Sequence, residues 1–180
     1  MKRRPRGSTG IPVLIAATAL IAGCGGGTST NPATTGTRAE PVKASVDALR
    51  KVASVVDHPV YWATGQTPAT YELTQTADGR IYIRYLPEGV ALGDPRPSFL
   101  TVGTYPQAGA FAALRRASTR PGAFVAKLPG GGLMVSQKAT PNSVFFATPK
   151  SPVLVEVFDP TANRAATLIT SGAVRPITAQ

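Results

Sequence analysis

The chain is poor in cysteine, histidine and tryptophan, with one of each among its 180 residues. Because the single cysteine, Cys24, has no partner within the chain, an internal disulfide is excluded and the folded part must be stabilised by its core. Zinc sites need three or four protein ligands at close spacing, and no such set surrounds His58. The sequence therefore predicts neither a metal site nor a bound cofactor.

Acidic residues are also scarce, with nine Asp and Glu against nineteen Lys and Arg, for a formal charge of +10. Beyond the N-terminal segment no basic run is longer than a pair such as Arg115-Arg116, so nucleic-acid binding is not predicted. We interpret the positive charge first as a source of solubility, and second as an affinity for anionic lipids and wall polymers. The 43% content of hydrophobic residues indicates a globular fold rather than disorder.

The N-terminal segment has the pattern of an export signal. A basic stretch contains Lys2, Arg3, Arg4 and Arg6, and the apolar run 11–22 that follows is too short to span a bilayer as a helix. The sequence Ile21-Ala22-Gly23-Cys24 then places an aliphatic residue and two small residues before the cysteine.

This pattern resembles the lipobox of bacterial lipoproteins, although Ile21 stands where the family prefers leucine. The resemblance implies cleavage before Cys24, a diacylglycerol on its sulfur, acylation of the new amino terminus with a fatty acid such as palmitate, and anchorage at the extracytoplasmic face of the cell membrane. The alternative is an ordinary secretory signal with a chance cysteine.

We predict three regions: a signal peptide at 1–23, a lipidated cysteine with a flexible linker at 24–39, and one domain at 40–180. The linker is rich in glycine and threonine and has no apolar periodicity, which is typical of a flexible tether.

The domain is predicted to be α+β, with an antiparallel sheet covered by helices on one face. Helices are predicted from Glu40 to Val56, from Pro106 to about Ser118, and from Asp159 to Gly172. Strands are predicted at 59–64, 70–76, 80–86, 98–105, 123–128, 133–138, 143–148 and 152–158. The clearest hairpin joins 70–76 to 80–86 through Ala77-Asp78-Gly79. The segment 99–106 has the same pattern as 153–160. The chain therefore contains either two repeats of four strands and a helix after a leading helix, or similar elements that coincide by chance.

The candidate ligand-binding residues are Trp62, Tyr82 and Arg84. Tyr82 and Arg84 alternate with Ile81 and Ile83 along one strand, so they point to the face opposite the apolar one. If Trp62 shares that face, the three could hold a sugar, a lipid headgroup or a partner protein. The alternative is that the aromatic residues of this region fill the core.

Catalytic motifs are weak, so we predict a protein that is not an enzyme. His58 follows Asp57 without a nucleophile motif, and Gly130-Gly131-Gly132 lacks the lysine and serine or threonine of a phosphate loop. Glu72 and Glu156 are the acids that a sheet could bring together as a glycosidase pair.

The segments 59–62 and 81–85 are similar to parts of uncharacterised exported lipoproteins of GC-rich Gram-positive bacteria. That resemblance implies an extracytoplasmic location and no particular activity. The sequence therefore predicts a membrane-anchored domain that binds an envelope ligand or partner, such as a protein, lipid or glycan. The alternatives are a cell-envelope hydrolase and a structural or assembly subunit of a membrane complex.

Overall fold

A computed structural model describes residues 39–178, and strands dominate this part of the chain. Three short α-helices, of 10, 8 and 7 residues, are α1 (Val46–Val55), α2 (Ala110–Ala117) and α3 (Arg164–Thr170). The strands are β1 (Val42–Ala44), β2 (Tyr61–Ala63), β3 (Thr70–Gln75), β4 (Ile81–Leu86), β5 (Thr101–Pro106), β6 (Ala123–Lys127), β7 (Leu133–Gln137), β8 (Thr140–Ala147), β9 (Val153–Phe158) and β10 (Val174–Pro176). A 3₁₀ turn, Pro129–Gly131, joins β6 to β7.

Eight strands form one antiparallel sheet in the order β1-β3-β4-β5-β9-β8-β7-β6. The two outer sets of four strands meet at β5 and β9, where Gly103 pairs with Glu156. The two remaining strands, β2 and β10, form a separate antiparallel ribbon. The sheet therefore joins strands from the first and second halves of the domain at its centre.

Strand alternation divides the sheet into two faces. We call one of them the core face, because it carries the largest buried cluster: Ala44, Leu73, Ile81, Ile83, Tyr85, Val102, Val144, Phe146, Val153, Val155 and Val157. Since the registers are continuous across paired strands, these side chains all project to the same side. Helices α1 and α3 and the β2–β10 ribbon pack against this face.

Hydrogen bonds from the core face hold the ribbon in place. The Ala63 amide donates to the Tyr85 hydroxyl at 2.6 Å, and that hydroxyl donates to the Ala63 carbonyl at 3.0 Å. The Tyr61 amide donates to the Thr104 hydroxyl at 3.1 Å. The ribbon is therefore attached to β4 and β5 through side chains of the sheet.

The opposite face has two unlike halves. Over β7, β8 and β9, helix α2 packs its Ala110 and Leu114 against Val135 and Ala147 in a second buried cluster. Over β3, β4 and β5 the same face carries polar and aromatic side chains, and the three helices pack elsewhere. This second half contains the candidate site.

The prediction of an α+β fold with helices on one face is wrong, because the described domain is β-rich and its helices lie on both faces of the sheet. Each predicted helix loses residues at its start. Val42–Ala44 pairs with β3 instead, and α1 begins only after Ser45, whose hydroxyl accepts from the Ala48 amide at 3.1 Å. Helix α2 begins after Gly109 and α3 after Asn163, both at left-handed backbone angles that end the preceding turn.

The predicted repeat of four strands and a helix is also wrong in its strand assignment. The segment 59–64 is predicted to begin the first unit, but β2 lies outside the main sheet and pairs with β10, a strand that is not among the predicted ones. The predicted hairpin is confirmed, with Thr70 paired to Leu86 and Gln75 to Ile81. The remaining predicted strands are present within a few residues of their expected ends.

Within residues 39–178, none of the helices combines the length and apolar character needed to cross a bilayer. The predicted signal peptide, Cys24 and nearly all of the linker lie outside the described residues.

Candidate ligand-binding site: the tyrosine cleft

The polar half of the opposite face forms a cleft, which we call the tyrosine cleft. The strand residues that line it, from β3, β4, β5 and β9, are Glu72, Thr74, Tyr82, Arg84, Thr101, Gly103, Tyr105, Glu156 and Phe158. Residues 39–41 before β1, and residues 93–97 and Phe99 of the loop that joins β4 to β5, complete the lining. The strand residues share this face because Tyr82 pairs with Gly103 and Arg84 with Thr101. Two adjoining cavities of about 690 and 200 Å³ make up the cleft. Small-molecule sites in proteins are typically of this size.

Two tyrosine rings lie at the centre of the cleft. The rings of Tyr82 and Tyr105 meet edge to face, with centroids 5.6 Å apart and an interplanar angle of 81°. The Tyr105 ring lies over Gly103, where an added Cβ would come within 2.7 Å of the Tyr105 hydroxyl. Gly103 therefore provides the space that Tyr105 occupies, which is a recognised reason for glycine within a strand.

The Tyr105 hydroxyl donates a hydrogen bond to Glu156 Oε2 at 2.5 Å. Burial, and then this hydrogen bond, raise the pKa of Tyr105 well above its ordinary value. The hydrogen bond from Tyr105 fixes the position of the Glu156 carboxylate in the lining of the cleft.

A buried ion pair fastens the β4–β5 loop to the sheet. Arg84 Nη1 donates to Glu72 Oε1 at 2.7 Å, and the Gly93 amide donates to Glu72 Oε2 at 2.6 Å. Arg84 Nη2 donates to the backbone carbonyls of Asp94 and Arg96 at 2.8 and 3.3 Å. The Glu72 side chain is only 2% exposed, so the pair forms part of the wall rather than a free charge.

Phe99 anchors the far end of the same loop. The guanidinium groups of Arg84 and Arg96 lie 5.1 and 5.8 Å from the centroid of its ring, within cation–π distance. Arg96 also pairs with Asp94 at 2.6 Å, and the hydrogen bonds from Arg96 lower the pKa of Asp94 to about 2. The loop is thus held by ionised and aromatic contacts from its middle, at Gly93, to its far end, at Phe99.

The three residues predicted from the sequence do not share one face. Tyr82 and Arg84 line the tyrosine cleft, as their alternation indicated. Trp62 lies in the β2–β10 ribbon on the core-face side of the sheet, where its ring centroid is 6.5 Å from that of Tyr71. The Arg84 guanidinium is engaged with Glu72 and the loop, so Tyr82 is the predicted residue with the clearest access to a ligand.

Neither the place of Tyr105 in the site nor its hydrogen bond to Glu156 is predicted from the sequence. A signal was present, because a glycine inside a strand, two residues before a tyrosine, indicates that something approaches the backbone closely. The identity of that group depended on the β5–β9 pairing, which joins segments more than fifty residues apart.

The acids and the histidine that the sequence suggested for catalysis each have structural partners in the described residues. Glu72 and Glu156 share a face, but β4 and β5 lie between their strands. Glu72 is engaged with Arg84 and the Gly93 amide, and Glu156 with Tyr105. His58 is buried, and its ring nitrogens contact the carbonyls of Pro59 and Gly79 at 3.2 and 3.0 Å rather than a serine.

Another cavity, of about 350 Å³, lies at the end of the sheet where β4 and β9 finish. Asp159 is buried at its edge; its Oδ1 accepts from the Thr161 amide at 2.8 Å, and its Oδ2 lies 3.6 Å from Arg164 Nε. Arg164 also donates to Gln66 Oε1 at 2.6 Å. These contacts close the turn before α3 and attach it to the loop before β3.

Comparisons of the chain with known protein families, curated proteins and solved structures found no match.

Proposed function

We propose that this protein is a lipid-anchored, extracytoplasmic binding protein whose tyrosine cleft takes a ligand at the cell envelope. The observation that carries the proposal is the cleft itself: the part of a sheet face, over β3, β4 and β5, on which the described helices do not pack, lined by two half-buried tyrosines and bounded by a fastened loop. The polar and aromatic side chains of this part of the sheet do not form a buried cluster like that of the core face.

The rigidity of the walls supports a binding role. Glu72 and Arg84 hold the loop before any ligand arrives, so the ligand would meet a largely formed site. Preformed sites lose less conformational entropy on binding, and their affinity is correspondingly higher.

The sequence pattern before Cys24 supports the proposed location. Two or three acyl chains, at about 0.8 kcal/mol for each buried methylene, would hold the protein at the membrane essentially permanently. The glycine- and threonine-rich linker would then give the domain freedom to reach ligands near the membrane surface.

The anchor is tested by replacing Cys24 with serine in an exporting bacterial host. The wild-type protein and a Thr35→Ser control should partition into the detergent phase, start at Cys24 and carry acyl mass. Cys24→Ser should remain uncleaved and unacylated. A wild-type protein that lacks acyl mass would contradict the anchor.

The binding role is tested by native mass spectrometry of the full chain in non-ionic detergent, after incubation with fractions of an envelope extract. We expect wild type to retain a mass that is lost on denaturation, and Tyr82→Ala to lose it. Phe124→Ala is the matched control, because Phe124 is an exposed aromatic residue on β6, at the opposite edge of the sheet. The proposal fails if wild type retains nothing, or if both variants retain the ligand equally.

A further inference from the structure

We propose that the ligand of the tyrosine cleft is an organic cation, a substituted ammonium group carried on a small apolar body. This inference rests on the proposed binding function and specifies the chemistry of the ligand. Three features of the cleft support it: its local charge, the Glu156 carboxylate and its aromatic rings.

The charge of the cleft is opposite to that of the chain. Four carboxylates line it against two guanidinium groups, which leaves two net negative charges in a chain of formal charge +10. The lining acids are Glu40, Glu72, Asp94 and Glu156. Nearly half of the nine acids of the whole chain thus lie around one cleft, where they favour a cationic ligand over an anionic one.

Glu156 is the acid best placed to meet such a ligand. Glu72 and Asp94 each form an ion pair with an arginine, whereas Glu156 forms none within residues 39–178. Its Oε2 accepts from Tyr105, and its other oxygen makes no hydrogen bond to the described residues. Arg80, the residue that precedes β4, already pairs with Asp78 at 2.9 Å.

The aromatic rings provide the second half of a cation site. Tyr82, Tyr105 and Phe158 line the 200 Å³ cavity together with Glu156. In the same cavity the ring of Phe99 already has the protein's own guanidinium groups within cation–π distance. A ring face beside a carboxylate attracts an ammonium group through both the ring quadrupole and the charge.

The test uses pairs of probes of equal shape and different charge. The full lipoprotein in non-ionic detergent is titrated with choline and with its neutral isostere 3,3-dimethyl-1-butanol, and then with benzyltrimethylammonium and neopentylbenzene, with binding followed by calorimetry. Each cation should bind at least tenfold more tightly than its neutral partner. The preference should weaken as salt is raised, because part of it is electrostatic.

Variants assign the preference to the cleft. Glu156→Gln should lower the affinity for the cations about tenfold and leave the affinity for the neutral probes unchanged. Tyr105→Phe should lower the affinity for the cations severalfold, because the Glu156 carboxylate is no longer held in position by the Tyr105 hydroxyl. Glu88→Gln removes the same charge from an exposed loop position outside the cleft lining and should have no effect. Circular dichroism checks that each variant is folded.

Vesicles of phosphatidylcholine and of phosphatidylglycerol distinguish the source of the cation. Preferential binding of the former, together with the choline preference, supports a lipid headgroup; a preference confined to soluble probes supports a free amine. If no probe pair shows a cation preference, or if Glu156→Gln retains it, the ligand class is wrong. In that case a Tyr82-dependent ligand from the envelope extract would still support the binding function. If the extract also yields no such ligand, both the ligand class and the binding function are wrong.

Discussion

Gly103 is the residue on whose size the tyrosine cleft depends. A Cβ at this position would lie 3.0–3.1 Å from two ring carbons of Tyr105 and closer still to its hydroxyl. Because the strand backbone beneath Gly103 leaves no room for the added Cβ to retreat, the Tyr105 ring must move away. Its hydroxyl then loses the hydrogen bond to Glu156.

We predict that Gly103→Ala lowers the free energy of unfolding by about 1–3 kcal/mol, the usual cost of overpacking. In a Tyr105→Ala background the obstruction is gone, so the same change should cost much less. Urea denaturation of the four proteins of this double-mutant cycle measures the coupling. Equal costs in both backgrounds would show that Tyr105 does not lie over Gly103.

The Glu72–Arg84 pair is the second residue-scale determinant of the cleft. We predict that Arg84→Met lowers the free energy of unfolding by about 3–5 kcal/mol, because it leaves a buried carboxylate without its partner. The double variant Glu72→Leu/Arg84→Met should recover much of that stability, since it buries no charge. It should still release the β4–β5 loop, measured as faster proteolysis within 88–98. Equal stability of the single and double variants would contradict this reading of the pair.

Buried tyrosines make the domain sensitive to alkali. Burial raises the pKa of Tyr85, and burial followed by the bond to Glu156 raises that of Tyr105. As the pH rises, the unfolded chain therefore loses these protons near pH 10, before the folded protein does. The free energy of unfolding is at its full value below that pH and falls as the pH rises above it. We predict a loss of about 1.4 kcal/mol per pH unit for each such tyrosine, measured by urea denaturation between pH 8 and 11. Tyr85→Phe should show a shallower slope, and an unchanged slope would exclude Tyr85 as a source.

At the scale of elements, the β2–β10 ribbon depends on the sheet for its attachment. Tyr85 both accepts from and donates to Ala63, so one hydroxyl satisfies two backbone groups of β2. The ribbon also carries Trp62, the only tryptophan of the chain, which makes its environment directly observable.

We predict that Tyr85→Phe destabilises the domain by about 1–3 kcal/mol, because two buried backbone groups lose their partner. Amide exchange at Ala63 should accelerate, and Trp62 fluorescence should change in the native state. Tyr82→Phe, on the same strand but on the opposite face, is the matched control and should leave both signals unchanged. Protection of Ala63 at the wild-type level in Tyr85→Phe would contradict the attachment.

At the scale of the whole molecule, one sheet and one principal core unite the two halves of the domain. Ile83 from the first half and Val155 from the second belong to the same buried cluster and are fully or nearly fully buried. A core shared in this way favours unfolding of the domain as one cooperative unit.

We predict a single urea transition in which Trp62 fluorescence and far-ultraviolet circular dichroism coincide. Ile83→Ala should lower the free energy of unfolding by about 2–5 kcal/mol and shift both signals together. Separate midpoints for the two signals would show that the ribbon, or one half of the sheet, unfolds independently.

The parts of the fold that depend on neighbouring residues were predictable from the sequence. The β3–β4 hairpin was predictable because alternation and an Asp-Gly turn agree, and that alternation also assigned Tyr82 and Arg84 to the face opposite Ile81 and Ile83. The first residues of the helices were not predictable in this way. Proline, which stands at 41, 106 and 160, fits the first turn of a helix and fits the end of a strand or a turn equally well.

The sequence by itself determined the alternation of the strands, the faces of their side chains, the lack of an internal disulfide and the pattern that implies a lipid anchor at Cys24. Each of these depends on residues close together in the chain. The tertiary structure alone decided that β2 leaves the sheet for β10, that helices pack on both faces, and that Tyr105 meets Glu156 across Gly103. The physical reason is that pairing between distant strands is decided by packing over the whole sheet, which no short stretch of sequence encodes.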